Sequence, residues 1–346
     1  MKNKKIIIAG GSGFIGQALA ARWGKDNQVV ILSRQSARSA NNSYGHRLLT
    51  AEDGYNITYW HWDGKFVEKH WADELEGSDL VINLAGRSVN CRYTPHNKQE
   101  ILDSRIDATQ AIGQAIRETT VPPKLWINAS SATIYRHAED GPQDEYSEGG
   151  PGTLSEEPVS SRVTKQHFND AFSILVCKLW EKTFLEQRTP FTRKIALRTA
   201  ITLGSDGAII PYLRLLKLGL GGRQGSGRQM YSWVHIEDVG RAMEWLLEQR
   251  ELEGVYNLAA PGPVTNRFFM DTLRRVTGHR PGLPAPVWLL KIGAAFIGTE
   301  PELVLKSRWV VPTRLSEAGF TFRYERVEAA LQAVIEQLPR KVYHLF

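Results

Sequence analysis

An α/β fold with a doubly wound parallel sheet is the class the sequence predicts, and three observations predict it. Short β-branched runs alternate with helical stretches along the first two-thirds of the chain. A glycine-rich turn joins the first such run to the first helical stretch. After Pro261 the composition shifts to helical segments separated by proline and glycine, so a smaller, mainly helical C-terminal lobe is expected there.

Residues 5–9 form a β-branched run suited to a buried parallel strand, and 29–32 and 80–84 repeat the pattern. Phe14, Ile15, Ala18, Leu19 and Trp23 recur at helical spacing after the first run. Ile101, Leu102, Ile106, Ile112 and Ile116 favour one face of a helix over 98–116, which Pro122 and Pro123 close off. Strands over 125–129, 194–198 and 255–259 and helices over 171–185, about 238–249, 266–277, 286–297 and 325–338 complete the reading. Between them, 136–170 is polar and lacks periodicity, which predicts a lid or a partly disordered segment.

Composition excludes several classes. The 346 residues are 42% hydrophobic and 23% charged, a globular balance, and ten tryptophans with no low-complexity tract argue against disorder. Only Cys91 and Cys177 are present, too few for a disulfide framework. The longest apolar stretch, 288–297, contains Lys291 and falls well short of the roughly 20 residues that cross a bilayer. The apolar run behind the basic start breaks at Gly10, too early for a signal peptide, so a cytoplasmic protein without a membrane partner is expected. The net charge of +6 is scattered, and a small anionic molecule accounts for it as well as nucleic acid would, so charge alone decides nothing; with no nucleic-acid-binding signature in the chain, no nucleic-acid partner is expected.

Gly10-Gly-Ser-Gly13-Phe14-Ile15-Gly16 lies between strand and helix, the context that gives a glycine fingerprint meaning. Gly10 permits the tight turn, Gly13 lets the backbone approach a pyrophosphate, and Gly16 allows the helix to pack closely. Backbone N–H groups and the positive helix end then face the phosphates. A Rossmann-type sheet is therefore expected. A carboxylate at the end of the second strand would select NAD; here stand Ser33 and Arg34, with Arg38 nearby, and a guanidinium there can hold a 2′-phosphate. NADP(H) is the expected cofactor, unless Arg34 is only a solvated surface charge.

With these residues the sequence resembles the extended short-chain dehydrogenase/reductases. The resemblance rests on the glycine turn, on Asn83-Leu84-Ala85-Gly86 after the fourth strand, and on Ser130-Ser131-Ala-Thr-Ile-Tyr135 after the fifth. Ser104-Arg105, Cys177…Trp180-Glu181, Gly225-Ser-Gly-Arg-Gln229…Trp233-Val-His235…Asp238 and Gly319-Phe-x-Phe322 narrow it to the atypical "epimerase family" branch, which carries a C-terminal domain of unknown function. The resemblance implies an NADP(H)-binding domain over 1–198 plus about 233–260 and a substrate lobe over 199–232 plus 261–346, with Asp63 near the adenine and Leu84, Ala85, Gly86 and Ser130 lining the cofactor. It also implies that Ser131 stands in the place of a catalytic serine or threonine.

The usual chemistry of that superfamily needs a tyrosine with a lysine four residues on, and none of the 11 tyrosines has one. Aligned on Glu181, the helix has Ser173 in the tyrosine's place and Cys177 in the lysine's. The proton must come from another group, and Tyr135, Cys177, Glu181 and His235 are the candidates by location. Each has a plainer alternative: Cys177 as a small buried hydrophobe, Glu181 as a brace for its helix, and His235 as the orienting residue of a helix start capped by Asp238. Arg223 and Arg228, on a basic loop expected to be flexible, could hold an anionic substrate tail or simply be solvated. No cluster has metal-ligand spacing, so no metal is expected. Two functions follow: an NADP(H)-dependent oxidoreductase or epimerase-like enzyme with an altered proton donor, or a non-catalytic NADPH-binding or sensing protein with a partner-binding helical lobe.

Overall fold

The structure is a computed structural model describing residues 1–34, 48–147, 168–279, 282–291, 300 and 302–344. Arg38, residues 148–167 and the second half of the helix expected over 286–297 lie outside the described residues.

Seven strands form one parallel sheet: β1 (Lys5–Ala9), β2 (Gln28–Ser33), β3 (Ile57–His61), β4 (Leu80–Asn83), β5 (Leu125–Ser131), β6 (Arg193–Thr199) and β10 (Gly254–Leu258). Their order in space is β10-β6-β5-β4-β1-β2-β3, and every pairing is parallel. The order reverses between β1 and β4, and a crevice outside the carboxyl ends of strands at such a point is where α/β sheets bind ligands.

Alternation along the strands explains why both faces are covered. Ile6, Ile8, Val29, Ile31, Ile82, Ile127 and Leu197 pack on one face with Leu19 and Trp23 of α1 (Phe14–Trp23) and Val239 and Met243 of α6 (Ile236–Glu248). Ile7, Ala9, Val30, Leu32, Val81, Trp126 and Ala196 pack on the other, under Ala108 to Ile116 of α3 (Pro95–Arg117) and Phe184 of α4 (Phe168–Leu185). Strands buried on both faces must be apolar at every position, which is why they read as unbroken runs. The outer edge of β10 is sealed: the Glu145 carboxylate accepts the Asn257 N–H at 2.7 Å, and Arg314 donates to the Val255 carbonyl at 2.6 Å.

A further hydrophobic core gathers α5 (Ile209–Lys217), α7 (Asn266–Thr277), the helix Val327–Glu336 and Tyr231 and Trp233. Two short parallel strands that the sequence reading missed, β7 (Ile201–Leu203) and β9 (Trp233–His235), lead into it.

Three expectations need correction. Residues 138–147 are not a free lid, because Gln143 exchanges backbone hydrogen bonds with Trp309 and Val311 at 2.7 and 3.0 Å, a pairing with no local signature. The basic loop 221–229 is pinned: Gln224 and Gln229 are buried, Gly222 donates to the Leu283 carbonyl and Gly225 to that of Ala285. Asp238 does not cap α6, whose cap is His235, with Nδ1 accepting the Glu237 N–H. Asp238 instead accepts the backbone N–H groups of Arg323 and Tyr324 at 2.8 and 2.9 Å and a bond from Arg241.

That buried carboxylate ties the C-terminal segment to the sheet domain. Asp238→Ala leaves two N–H groups without acceptors and should cost about 3 kcal/mol in denaturant unfolding, whereas Arg326→Ala, at an exposed pair, should stay within about 0.5 kcal/mol.

Candidate active site

The glycine turn occupies the crevice between β1 and β4. Gly10 has φ +74°, and a Cβ there would fall 2.8 Å from the Ala85 nitrogen and 2.9 Å from the Leu84 carbonyl carbon. A Cβ on Gly16 would fall 2.4 Å from the Gly11 Cα. Both glycines therefore answer to the protein's own packing. Gly13 does not: among the described residues, a Cβ there meets nothing closer than the Gly10 oxygen at 3.5 Å, an ordinary contact. Gly13 is also the N-cap of α1, with no side chain capping the first turn. The first-turn N–H groups, including those of Phe14 and Ile15, lie beyond the reach of any intrahelical carbonyl. An uncrowded Gly13 beside uncapped donors at a positive helix end fits a diphosphate.

The far side of the turn holds the nucleotide-selecting positions. Ser33 is buried and donates to the Ser12 hydroxyl at 2.8 Å, so the end of β2 is fastened to the glycine turn. Arg34 follows it, exposed. Asp63, just beyond β3, is exposed and accepts the N–H groups of Lys65 and Phe66 at 2.8 and 3.0 Å, which shapes its own turn.

At the end of β4, the Asn83 side chain accepts the Ala85 N–H at 3.0 Å and donates to Asn128 and Thr109 at 2.7 and 3.2 Å. Thr109 in turn accepts the Trp180 indole N–H at 3.1 Å. This buried network fixes the course of Leu84, Ala85 and Gly86 beside Gly10. Gly86 is exposed and lies over the Arg105 guanidinium, which a Cβ would meet at 3.1 Å.

Of the five catalytic candidates, Ser131, Tyr135, Cys177 and Glu181 gather around the end of β5. Ser131 is half-buried; its hydroxyl donates to the Thr133 hydroxyl at 3.1 Å and accepts the Thr133 N–H at 3.2 Å. Ser130 is turned away, donating to Glu181 at 2.5 Å. Glu181 also receives both arms of the Arg198 guanidinium at 2.8 Å, and Arg198 is fully buried. Arg198 donates to the Tyr135 hydroxyl at 2.8 Å, and that hydroxyl donates to Asn257 at 2.9 Å. Cys177 is buried among Ala132, Ile134, Tyr135, Ala200, Ala259 and Val310.

Electrostatics fixes what these groups can do. Burial pushes the Tyr135 phenol up to about 12, against the pull of Arg198. Burial, with the Glu181 charge adding to it, likewise pushes the Cys177 thiol up to about 12, against Arg105, Lys306 and Arg198. Both keep their protons at neutral pH. Glu181 is engaged in a fork-to-fork ion pair, so its geometry is that of a brace. His235 stands apart from this cluster. It is buried, packs against the Tyr324 ring with centroids 4.0 Å apart and the planes tilted by 37°, and burial lowers its proton affinity.

Arg223 and Arg228 are exposed on their loop. Arg223 donates to the Ser226 carbonyl at 3.0 Å, and Arg228 lies 3.9 Å from the Glu139 carboxylate. Sequence reasoning passed over Arg198, Asn257, Asn128 and Thr109, which complete the buried networks. A buried arginine inside a strand of apolar neighbours, as in Ile195-Ala-Leu-Arg198, was the one visible signal.

An epimerase-family relative from Staphylococcus saprophyticus is 31% identical over 335 residues, covering 96% of this chain and 99% of the relative. This chain belongs to the epimerase family. The family model described as "NAD dependent epimerase/dehydratase family" matches residues 6–160, and one described as a domain of unknown function matches 285–334. A chloroplastic epimerase-family protein of Arabidopsis thaliana is 29% identical, over 96% of this chain and 86% of that one. Among solved structures, the human epimerase family protein SDR39U1, crystallised with NADPH, superposes with a TM-score of 0.74 at 28% identity, over 96% of this chain and 99% of that chain. A nucleoside-diphosphate sugar epimerase of Corynebacterium glutamicum shares the fold at 24% identity and a TM-score of 0.67, over 96% of this chain and 58% of that one. The fold is thus an extended short-chain dehydrogenase/reductase fold. Among the described residues, no helix is long and apolar enough to cross a membrane and no group of three His, Cys, Asp or Glu side chains could hold a metal ion.

The glycines separate by experiment. Gly16→Ala must push the α1 backbone off Gly11 and should lower stability by about 2 kcal/mol. Gly13→Ala should unfold within about 0.5 kcal/mol of the parent, because its methyl group meets only an ordinary contact, yet lose at least about tenfold in nicotinamide-dinucleotide affinity by calorimetry.

The raised groups predict an alkaline limit. Unfolded, Cys177 and Tyr135 release their protons near their ordinary values of 9.0 and 10.0; folded, they hold them to about 12. Their contribution is complete below pH 9 and falls as pH rises towards 12, by about 1.4 kcal/mol per pH unit for each group in its window. Urea unfolding at pH 8 and pH 10.5 should show that loss, and Cys177→Ala should reduce its slope between 9 and 10.

Proposed function

We propose that this epimerase-family chain binds NADP(H) and uses it as an oxidoreductase or epimerase-like enzyme on a small carbonyl or sugar-nucleotide-like substrate. One observation carries the cofactor reading: the uncrowded Gly13, flanked at the end of β2 by Ser33 and Arg34 with no carboxylate between them. The backbone of Gly13 to Gly16 would hold the diphosphate, Arg34 the 2′-phosphate, and Leu84, Ala85 and Gly86 the adjoining ribose. The human relative's NADPH supports the choice over NAD. When bound, NADP(H) supplies a ring that gives or takes a hydride.

The chain's own residues then act without a tyrosine–lysine pair. Ser131, next to Thr133, can donate to a substrate oxygen at the end of β5. The neutral Tyr135 phenol and Cys177 thiol are poor acids, and Arg198 and Glu181 hold the floor rigid beneath them. That last observation gives a second reading its support: a protein that binds NADPH and turns over slowly or not at all, reporting cofactor level through its C-terminal lobe.

Calorimetry on the ligand-free chain tests the cofactor reading. NADPH should give a saturable heat, and Arg34→Ala should weaken it by about tenfold while changing NADH by less than about twofold. Equal losses for both dinucleotides would remove Arg34 from the argument, and no heat with either would reject the reading. NADPH absorbance followed across a carbonyl and sugar-nucleotide panel then separates enzyme from sensor.

A further inference from the structure

The site holds a half-buried cation that no carboxylate among the described residues neutralises. Arg105, on α3, donates from Nη1 to the carbonyls of Ile101 and Arg87 at 2.8 and 3.1 Å. Its guanidinium lies over the Trp180 ring, 5.1 Å from the centroid, and passes under Gly86, where a Cβ would crowd it at 3.1 to 3.3 Å. Nε and Nη2 donate to no described residue, and no carboxylate among the described residues pairs with it. Burial lowers its proton affinity, and only Cys177 and Tyr93 act in the opposite direction. The carboxylates on this side are engaged elsewhere: Glu300 accepts the Tyr93 N–H at 2.9 Å and lies 3.9 Å from Arg92, and Glu302 accepts from Ser173 at 3.2 Å.

Two more cations reach the same place from the C-terminal segment. Lys306, buried, donates to the Thr133 carbonyl at 3.1 Å, and Arg308 donates to the Thr133 hydroxyl at 3.2 Å. Thr133 is the residue that Ser131 bonds. Arg105 and Lys306 are both near enough to act on Cys177, the side chain standing where the usual motif has its lysine. Positive charge is therefore supplied at that position by Arg105, Lys306 and Arg198, from other elements rather than by α4, while Arg308 stands at Thr133. A guanidinium placed over an indole and beside the Gly86 backbone, with Nε and Nη2 unpartnered among the described residues, suits bidentate recognition of an anion. Arg223 and Arg228, the anion contacts expected from sequence, stay exposed on the loop 221–229, beside Ser226 and Glu139.

We propose that Arg105, flanked by Lys306 and Arg308, forms an anion site beside the cofactor groove that takes the carboxylate or phosphate of a small carbonyl substrate. The proposal rests on the cofactor reading above for its place in the reaction, but not for its test. With the substrate's anionic group on Arg105, its carbonyl oxygen falls to Ser131 and to the surrounding positive charge. Charge growing on that oxygen is then stabilised electrostatically, which lessens the need for a strong proton donor.

The test is calorimetry of the full chain with oxalate and, separately, inorganic phosphate, each with and without NADP+. The parent should bind at least one of them saturably, and the two arms tell a carboxylate site from a phosphate site. Arg105→Gln should weaken that anion by at least about tenfold and leave NADP+ affinity within about threefold, whereas Arg223→Ala should change neither. Should Arg105→Gln fail to fold, Arg105→Lys keeps the charge but not the fork and should weaken the anion by about threefold or more. Absence of anion binding in the parent, equal affinity in the variants, or a matching loss of NADP+ would overturn the proposal. Failure of NADP+ to bind the parent would sink the cofactor reading alone, since the anion titration without nucleotide still reports on Arg105.

Discussion

Backbone packed directly on backbone at the crossing of β1 and β4 is the constraint from which the site follows. Gly10 can lie against Ala85, and Gly16 against Gly11, only because neither carries a Cβ. The contact sets α1's axis against the sheet and aims its uncapped N-terminus into the crevice where the strand order reverses. Two glycines are consumed by this packing and the third, Gly13, is left uncrowded. A single turn thus does structural and ligand-binding work with different residues.

The floor of the site rests on a different kind of interaction. Arg198 and Glu181 are both buried, and such a pair is tolerated when further hydrogen bonds satisfy the remaining donors and acceptors. Ser130, Tyr135 and Asn257 supply them. The network joins α4, β5, β6 and β10, and it spends the titratable groups that proximity alone would nominate for proton transfer. Position near a reacting centre does not make an acid; a free proton and a suitable environment do. The Arg105 guanidinium is the counterexample within the same few residues, a charge with donors left over.

Much of the sheet domain was legible because its code is local. Strands buried on both faces must be continuously apolar, and helices against them must be apolar on one side, so residues 5–9, 29–32, 80–84 and 98–116 announced themselves. The glycine spacing was legible for the same reason: φ, close approach and helix start all act within seven residues. Short pieces such as β7 and β9, three residues each, were not legible, because their pairing partners lie some thirty positions apart. The polar stretch 138–147 misled for a related reason. Its order comes from Trp309, Val311 and Asn257, which its own composition does not mention.

The sequence by itself determined the parallel α/β class, the phosphate-binding turn, the lack of an acid after Ser33 and the absence of a tyrosine–lysine pair, because each is a property of neighbours along the chain. Only the tertiary structure decided which side chains are spent and which are available. It turned Ser130 and Glu181 into parts of an ion-pair network, made His235 a helix cap, sent Arg223 and Arg228 to the surface, and brought Arg105 to the side of Cys177. Burial and hydrogen-bond partnership come from elements that meet only in the fold, as Ser130 and Glu181 do across 51 positions and Tyr135 and Asn257 across 122, and they decide whether a charged group is a brace or a site.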